Sequence, residues 1–329
     1  MILTVTLNAA IDRTVAVPNF RLGQRHRAVE SRTVAGGKGV NVARALKLLG
    51  RPVIATGLAG GPTGTRILER LVEESILNDF TRIEGDSRTN LAVVDPTSGE
   101  QTEINERGPE VTPQEVDLFG EKLLYLAQGA TICVLAGSVP PGADPGVYAR
   151  LIAALREHGV ITVLDSDGDP MRAGLRAGPA VVAPNALEAE GAVGHEFTDS
   201  NDLVLGLHGL IEMGAGEAMI TRENGCVAIV GEEGPLGRRA GEAPRGTRYE
   251  AEIEPLEPIS TVGSGDAFLA GYVAARYEGA SPRECLAYGV ACGAESTQHF
   301  GAGTVNRDQV ERLVPLVNVT EFEIPAGVS

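Results

Sequence analysis

Six short apolar runs recur along the chain, each tied to a stretch of helical periodicity: ILTVTLN from residue 2, PVIATGLA from 52, TICVLAG from 131, ITVLDSD from 161, AVVAPN from 180 and EAMIT from 217. Between them lie VNVARALKLLG (40–50), GTRILERLVEES (64–75), PQEVDLFGEKLLYLAQ (113–128), PGVYARLIAALREHG (145–159) and NDLVLGLHGLIEMG (201–214). Strands that are apolar almost throughout must be buried on both faces, and strands separated by helices pair in parallel. The pattern predicts an α/β fold with a mostly parallel central sheet flanked by helices on both sides. In such folds a ligand sits beyond the carboxyl ends of the strands.

Two stretches break this rhythm. Residues 13–34, RTVAVPNFRLGQRHRAVESRTV, and 88–105, RTNLAVVDPTSGEQTEIN, alternate apolar and polar residues around turns and carry no helical pattern. They read as antiparallel strands with one wetted face, pairing as a small β lid. The expected division is therefore an α/β core of residues 1–12, 35–87 and 106–329, with a lid of 13–34 and 88–105. Val15, Val17, Leu91 and Val93 lie on a sheet too small to bury both faces, so a homodimer formed through the lids is expected. The stretch 318–329, NVTEFEIPAGVS, reads as a loose tail.

A net charge of −16 argues against a nucleic-acid partner, which needs clustered basic surface, but leaves room for a local anion site. The start MILTVTLNAAID has no basic segment and turns polar by Asn8, so it reads as a strand, and no apolar stretch suggests a membrane span. Cys133, Cys226, Cys285 and Cys292 lack metal-binding spacing and read as buried free thiols, which points to the cytoplasm.

Two segments share one design. AGGKGVNVARALKLLG (35–50) and TVGSGDAFLAGYVAA (261–275) both run from glycines into an apolar-faced helix. Glycines before a helix expose free N–H groups, and the dipole makes that end attract anions. Such turns are common in α/β proteins and decide little singly. Lys38 says more, because a cation in a first helical turn is disfavoured unless an anion arrives beside it. Asp266 could be a simple helix-capping acid or a base that takes a proton from something held against the loop. Other chemistries lack their motifs: GLAGGPTGT (57–65) has glycines without the phosphate-loop lysine. There is no GxGxxG, GxSxG or HExxH, and the five histidines show no paired-ligand spacing.

Taken together, GGKGVNVARALKLLG and STVGSGDAFLAG resemble, in order and spacing, the two motifs of the ribokinase-like sugar kinases of the phosphofructokinase-B group. The resemblance runs the whole length. TVTLNAAID (4–12), GPEVT (108–112), LAGSVPPG (135–142) and PNALE (184–188) are similar to the family's phosphosugar branch. That branch contains 1-phosphofructokinase, tagatose-6-phosphate kinase and a minor 6-phosphofructokinase.

What the resemblance implies is an ATP- and Mg²⁺-dependent kinase that phosphorylates a ketohexose phosphate to a bisphosphate. Fructose 1-phosphate is the first choice of acceptor; tagatose 6-phosphate or fructose 6-phosphate is the alternative. A kinase of unphosphorylated sugar or nucleoside, or a non-catalytic sugar-phosphate sensor, fits less well. By position, Asp266 is implied as the base, with Gly263, Ser264 and Gly265 as the anion hole. Asp12, Gly37 and Asn41 are implied to hold sugar hydroxyls. Lys38, Arg27 and Arg88, with Ser138 nearby, are implied to hold the acceptor's phosphate; the two arginines could instead pair with surface carboxylates such as Glu30 and Asp86. Asn185 and Glu188 are implied to organise Mg²⁺ and the ATP phosphates, and Thr221, Gly225 and Gly293 to border the adenine. Ala183 and TRENG (221–225) depart from the family pattern, both on the nucleotide side.

Overall fold

Every residue of β1 (Ile2–Thr6) is buried, and the strand pairs in parallel with neighbours on both sides. Leu3 and Val5 face one apolar layer and Ile2 the other, so the alternating Thr4 and Thr6 are buried as well. The computed structural model describes residues 1–231 and 246–322. After β1 come β2 (Ala10–Ala16), β3 (Glu30–Gly36), α1 (Lys38–Leu48), β4 (Val53–Gly60), α2 (Gly61–Glu73), β5 (Leu77–Ile83), β6 (Arg88–Val94) and β7 (Gln101–Asn105). The middle of the chain forms α3 (Pro113–Ala127), β8 (Ile132–Ala136), α4 (Val147–Glu157), β9 (Ile161–Asp165), α5 (Gly168–Arg176), β10 (Val181–Val182), α6 (Ala186–Val193) and α7 (Ser200–Glu212). Then follow β11 (Glu217–Arg222), β12 (Gly225–Gly231), β13 (Gly246–Glu252), α8 (Ser264–Tyr277), α9 (Pro282–Ser296), α10 (Arg307–Leu313) and β14 (Asn318–Glu321).

The main sheet has the order β14-β13-β12-β11-β10-β9-β8-β1-β4-β5. It is parallel from β11 to β5 and antiparallel from β11 to β14. Helices α1, α8 and α9 bury Leu46, Tyr272 and Val290 on one face, while α3 and α4 bury Phe119, Leu123, Tyr148 and Leu155 on the other. The expected two-sided α/β architecture is present. Residues 318–321 do not form a loose tail: they add the edge strand β14 to β13, burying Val319. The rest of that stretch, 323–329, lies outside the described residues.

The small sheet is also present, in the order β3-β2-β6-β7. Its outer pairs, β2 with β3 and β6 with β7, are antiparallel, but the central pair β2–β6 is parallel. The reason is topological. Both strands leave the main sheet after parallel strands, β2 after β1 and β6 after β5, and so they run outward in the same direction. Val15, Val17 and Val93 are buried within this chain, with Phe20 and Leu91 packed against them. The lid therefore has its own small core, and those valines do not need a second chain to cover them. All four cysteines are free and buried. Among the described residues no helix is long and apolar enough to cross a membrane.

Candidate active site

The two glycine turns meet at one cleft of about 1070 Å³, roofed by the small sheet. Gly263 is the N-cap of α8 with φ 77°, and a Cβ there would lie 2.5 Å from the Cβ of Ala302, so both conformation and space demand glycine. Ser264, Gly265 and Asp266 form the first turn that follows. The Ser264 N–H bonds to the Thr261 carbonyl, and no side chain caps the helix. The next N–H groups lack intrahelical partners by helix geometry, which suits them to an anion.

Asp266 lines this cleft yet is buried, and it accepts a hydrogen bond from Asn41 Nδ2 at 2.8 Å. Burial pushes its carboxyl up to about 7, against the pull of Lys38 and the Asn41 bond and with help from Asp165 and Glu188. A carboxylate poised near neutrality and aimed into a cleft is suited to proton abstraction. The sequence offered a cap or a base; the helix has no side-chain cap to which Asp266 contributes, and the geometry suits the second role.

Lys38 opens α1, and its Nζ lies 2.9 Å from Asp165 Oδ1 and 2.8 Å from Glu188 Oε1. Partial burial works against its charge, but Asp165, Glu188 and Asp266 outweigh that and hold the ammonium above the ordinary lysine range. Asp165 ends β9 and is raised by burial, with Lys38 opposing. This is a difference from the expected grouping. Lys38 is bound to two carboxylates, Asp165 and Glu188, which offset the dipole penalty of a cation at a helix start.

Asn185 and Glu188 form a capping box at the start of α6: Asn185 Oδ1 accepts the Glu188 N–H at 2.9 Å, and Glu188 Oε2 accepts the Asn185 N–H at 3.0 Å. That geometry explains the NxxE spacing and leaves Glu188 Oε1 facing Lys38. Among the described residues no three ligand-type side chains converge as a metal cage. Two carboxylates at one wall, Asp165 and Glu188, fit a Mg²⁺ ion that keeps most of its waters and is held chiefly by phosphates.

On the lid side, Asp12 of β2 is the register partner of Asn90 on β6, and Asn90 Nδ2 donates to its Oδ1 at 2.8 Å. Burial raises the Asp12 carboxyl, while Asn90, Arg88 and Arg44 oppose. Gly36 on β3, the register partner of Ala10, lets the Asp12 carboxylate lie against the backbone; a Cβ there would come within 1.9 Å of Oδ2. Arg88 opens β6 and donates from Nε to the Asn8 carbonyl at 3.1 Å and from Nη1 to the Glu106 carbonyl at 3.0 Å. Asn8 Nδ2 in turn donates to Ser138 Oγ at 3.2 Å, so Arg88 and Ser138 meet through one asparagine. Arg88 does not pair with Asp86, which instead accepts from Thr63. Arg27 stands apart. It is exposed on the connection between β2 and β3 and does not line the cleft.

Thr221, Ser264 and Gly265 are shared with a smaller adjoining cavity that reaches Gly225 and Gly293. The expected adenine-side residues are thus brought together. Ala183 lines the main cleft, and Arg222 of the TRENG segment is held by Glu250 and Glu252 at 2.8 and 2.9 Å. Asp165, Asn8, Asn90 and Arg44 were not anticipated. For Asp165 a signal existed, since it closes a parallel strand at the carboxyl edge where ligands bind. Asn90 could be found only once its register opposite Asp12 was known.

Residues 3–309 match the pfkB family of carbohydrate kinases. The chain is 31% identical to a 1-phosphofructokinase of Borreliella burgdorferi over 294 residues, 89% of this chain and 90% of that protein. It is 29% identical to a tagatose-6-phosphate kinase of Staphylococcus epidermidis, over 98% of this chain and 100% of that one. A solved structure from Thermotoga maritima, of a possible 1-phosphofructokinase, superposes with a TM-score of 0.85 at 26% identity, covering 98% of this chain and 100% of that one.

Proposed function

The chain belongs to the pfkB family of carbohydrate kinases, and from that premise we propose that it transfers the γ-phosphoryl group of ATP to fructose 1-phosphate, giving fructose 1,6-bisphosphate. The observation that carries the reading is the position of Asp266, buried in the first turn of α8 with its carboxyl pushed up to about 7 and lining a cleft that also contains Asp12 and Arg88. Asp266 orients the acceptor hydroxyl and receives its proton as the new bond to phosphorus forms. The N–H groups of the Gly263–Gly265 turn hold the charge that develops on the transferred group. Asp12 and Asn90 hold sugar hydroxyls. Arg88, supported by Asn8 and with Ser138 behind it, holds the phosphate already on the sugar.

Lys38 belongs in this reading to the transferred phosphate and not to the acceptor's own. It lies in the same wall as Asp165 and Glu188 and still acts on Asp266 electrostatically. Mg²⁺, when bound with the nucleotide, would be held on the side of Asp165 and Glu188 and would neutralise phosphate charge. The adenine would enter the smaller cavity between Gly225 and Gly293.

A second reading, tagatose 6-phosphate as acceptor, is favoured by the relative of that activity, which aligns over 98% of this chain. The test is a coupled ADP-release screen over fructose 1-phosphate, fructose 6-phosphate and tagatose 6-phosphate, with unphosphorylated fructose as control. A highest kcat/KM on fructose 1-phosphate supports the first reading. A preference for unphosphorylated fructose, or no turnover on any of the four, would overturn it.

A further inference from the structure

Arg44 touches no part of the cleft surface, yet it is buried on α1 three residues after Asn41, and all five of its N–H donors are used. Nε and Nη2 hold the Glu74 carboxylate at the end of α2, the latter at 3.0 Å. Nη2 also donates to the Ala35 carbonyl at 2.6 Å, and Nη1 donates to the Ala302 carbonyl and to Asn41 Oδ1, each at 3.1 Å. Ala35 leads into the Gly36–Gly37 turn, and Ala302 is the residue packed against Gly263. One guanidinium therefore joins the walls of both glycine turns.

Resting on the reading of Asp266 as base, we propose that Arg44 is a positioning residue for phosphoryl transfer: it holds the Asn41 amide with its NH₂ turned to Asp266. The amide has two orientations. With Oδ1 on Arg44, Nδ2 donates to Asp266 Oδ2 at 2.8 Å, and every contact is attractive. Rotated by half a turn, the NH₂ would face the guanidinium and Oδ1 would face the carboxylate, both repulsive. A lysine cannot substitute, because its three donors on a flexible stem do not reproduce the fork. The charged groups that face Asp266 are Lys38 from α1, Asp165 from β9 and Glu188 from α6; those that face Arg44 are Glu74 and, across the turn, Asp12.

The experiment compares Arg44→Lys, Asn41→Ala and their combination by steady-state kinetics across pH. Arg44→Lys keeps a cation beside Glu74; Arg44→Met with Glu74→Leu removes both charges together and supplies a second folded variant, since replacing a buried pair by apolar groups is often tolerated. In either background kcat should fall roughly 10–100-fold, as misplacement of a reacting group does, with the ATP KM nearly unchanged. The acidic limb of the kcat/KM profile should move up by about one pH unit, because the base loses a donated hydrogen bond. The Arg44→Lys/Asn41→Ala double variant should be no slower than Asn41→Ala alone. An unmoved acidic limb together with additive losses would overturn the proposal. Asp266→Asn run alongside separates the two failures: if that variant retains wild-type turnover, the base itself is misassigned, whatever Arg44 does.

Discussion

Lys38 Nζ lies 2.8 Å from Glu188 Oε1, a contact across 150 residues of sequence that binds the first glycine turn to the start of α6. With Asp165 Oδ1 at 2.9 Å, the lysine joins two carboxyl groups from separate elements, β9 and α6. A grouping of Lys38 with Arg88 as a single acceptor clamp does not match this arrangement. The cation is committed to the wall that leads toward Thr221 and the adjoining cavity.

The kinetic consequence is specific. Lys38→Met should lower kcat by roughly 10²-fold, the scale seen when one charge stabiliser of a transition state is removed. It should raise the ATP KM at least as much as the phosphosugar KM. A variant with normal kcat and a raised phosphosugar KM alone would return Lys38 to the acceptor side.

Asp266→Asn keeps the size of the side chain but cannot take a proton, so turnover should fall by roughly 10²–10⁴-fold while both substrates still bind. In the unmodified protein kcat/KM should decline below an acidic limb near the carboxyl's value of about 7. Fluorescence or calorimetric titration with the phosphosugar would confirm that the variant is intact. Wild-type turnover in a folded variant would exclude Asp266 as the base.

The same shift has a stability sign. Burial raises Asp266 from 3.8 to about 7, so between those values the folded chain holds a proton that the unfolded chain has released. Stability from this group is full below about pH 4 and is lost as pH rises through 7. Asn carries no such burden, so Asp266→Asn should melt higher than the wild type at pH 8, by an amount on the order of 1–4 kcal/mol, and nearly alike at pH 4. Thermal melts at the two pH values decide it; an equal difference at both would show that ionisation of Asp266 is not opposed by the fold.

How much of this was legible follows from how local each signal is. The two glycine-to-helix turns announce themselves because their chemistry is contained in about a dozen consecutive residues. Asn185 and Glu188 were legible for the same reason, as members of one capping box. Asp165 was not, since a strand ending in aspartate looks ordinary until Lys38, 127 residues away, is seen bound to it. The direction of the β2–β6 pair was hidden too: alternation reports which face is wet but says nothing about which way a strand runs. Helix periodicity placed Arg44 on α1 without revealing that its fork would be consumed by Asn41 on the same helix and by three other segments, at Ala35, Glu74 and Ala302. At the sheet edge β13 was hidden because Gly, Arg and Glu dilute the apolar pattern in GTRYEAE, and β14 because it is only four residues long with one buried side chain.

A homodimer through the small sheets remains an expectation, now carried by different residues. Val15 and Val93 are covered internally, whereas Leu22, Val29 and Ile104 stay 89%, 70% and 59% exposed. Apolar side chains this exposed on one small subdomain suit a protein interface. Light scattering at micromolar concentration should give twice the chain mass, and Leu22→Glu with Ile104→Glu should shift it to the monomer. A monomeric wild type would remove the lid as an interface.

Arg88 is the residue on which the phosphosugar assignment turns. Two of its donor groups are spent on the Asn8 and Glu106 carbonyls, which fix the guanidinium at the lid hinge beside Asp12. Burial lowers its hold on the proton, with Asp12 and Glu106 opposing, so the site gains by receiving an anion. A protein of net charge −16 repels anionic sugars at long range, and the attraction must come from such a local cation. Arg88→Ala should raise the phosphosugar KM by roughly 10–100-fold, the worth of one charge-assisted hydrogen-bonded group, and leave the ATP KM within about twofold. Some kcat should be lost as well, because binding at the remote phosphate helps align the reacting hydroxyl. Arg88→Lys restores charge without the fork and should recover only part of the affinity. Activity on unphosphorylated fructose, where measurable, should be indifferent to all these changes. If Arg88→Ala keeps the wild-type phosphosugar KM, the acceptor's phosphate is held elsewhere, and Arg88 is a hinge residue whose work ends at Asn8 and Glu106.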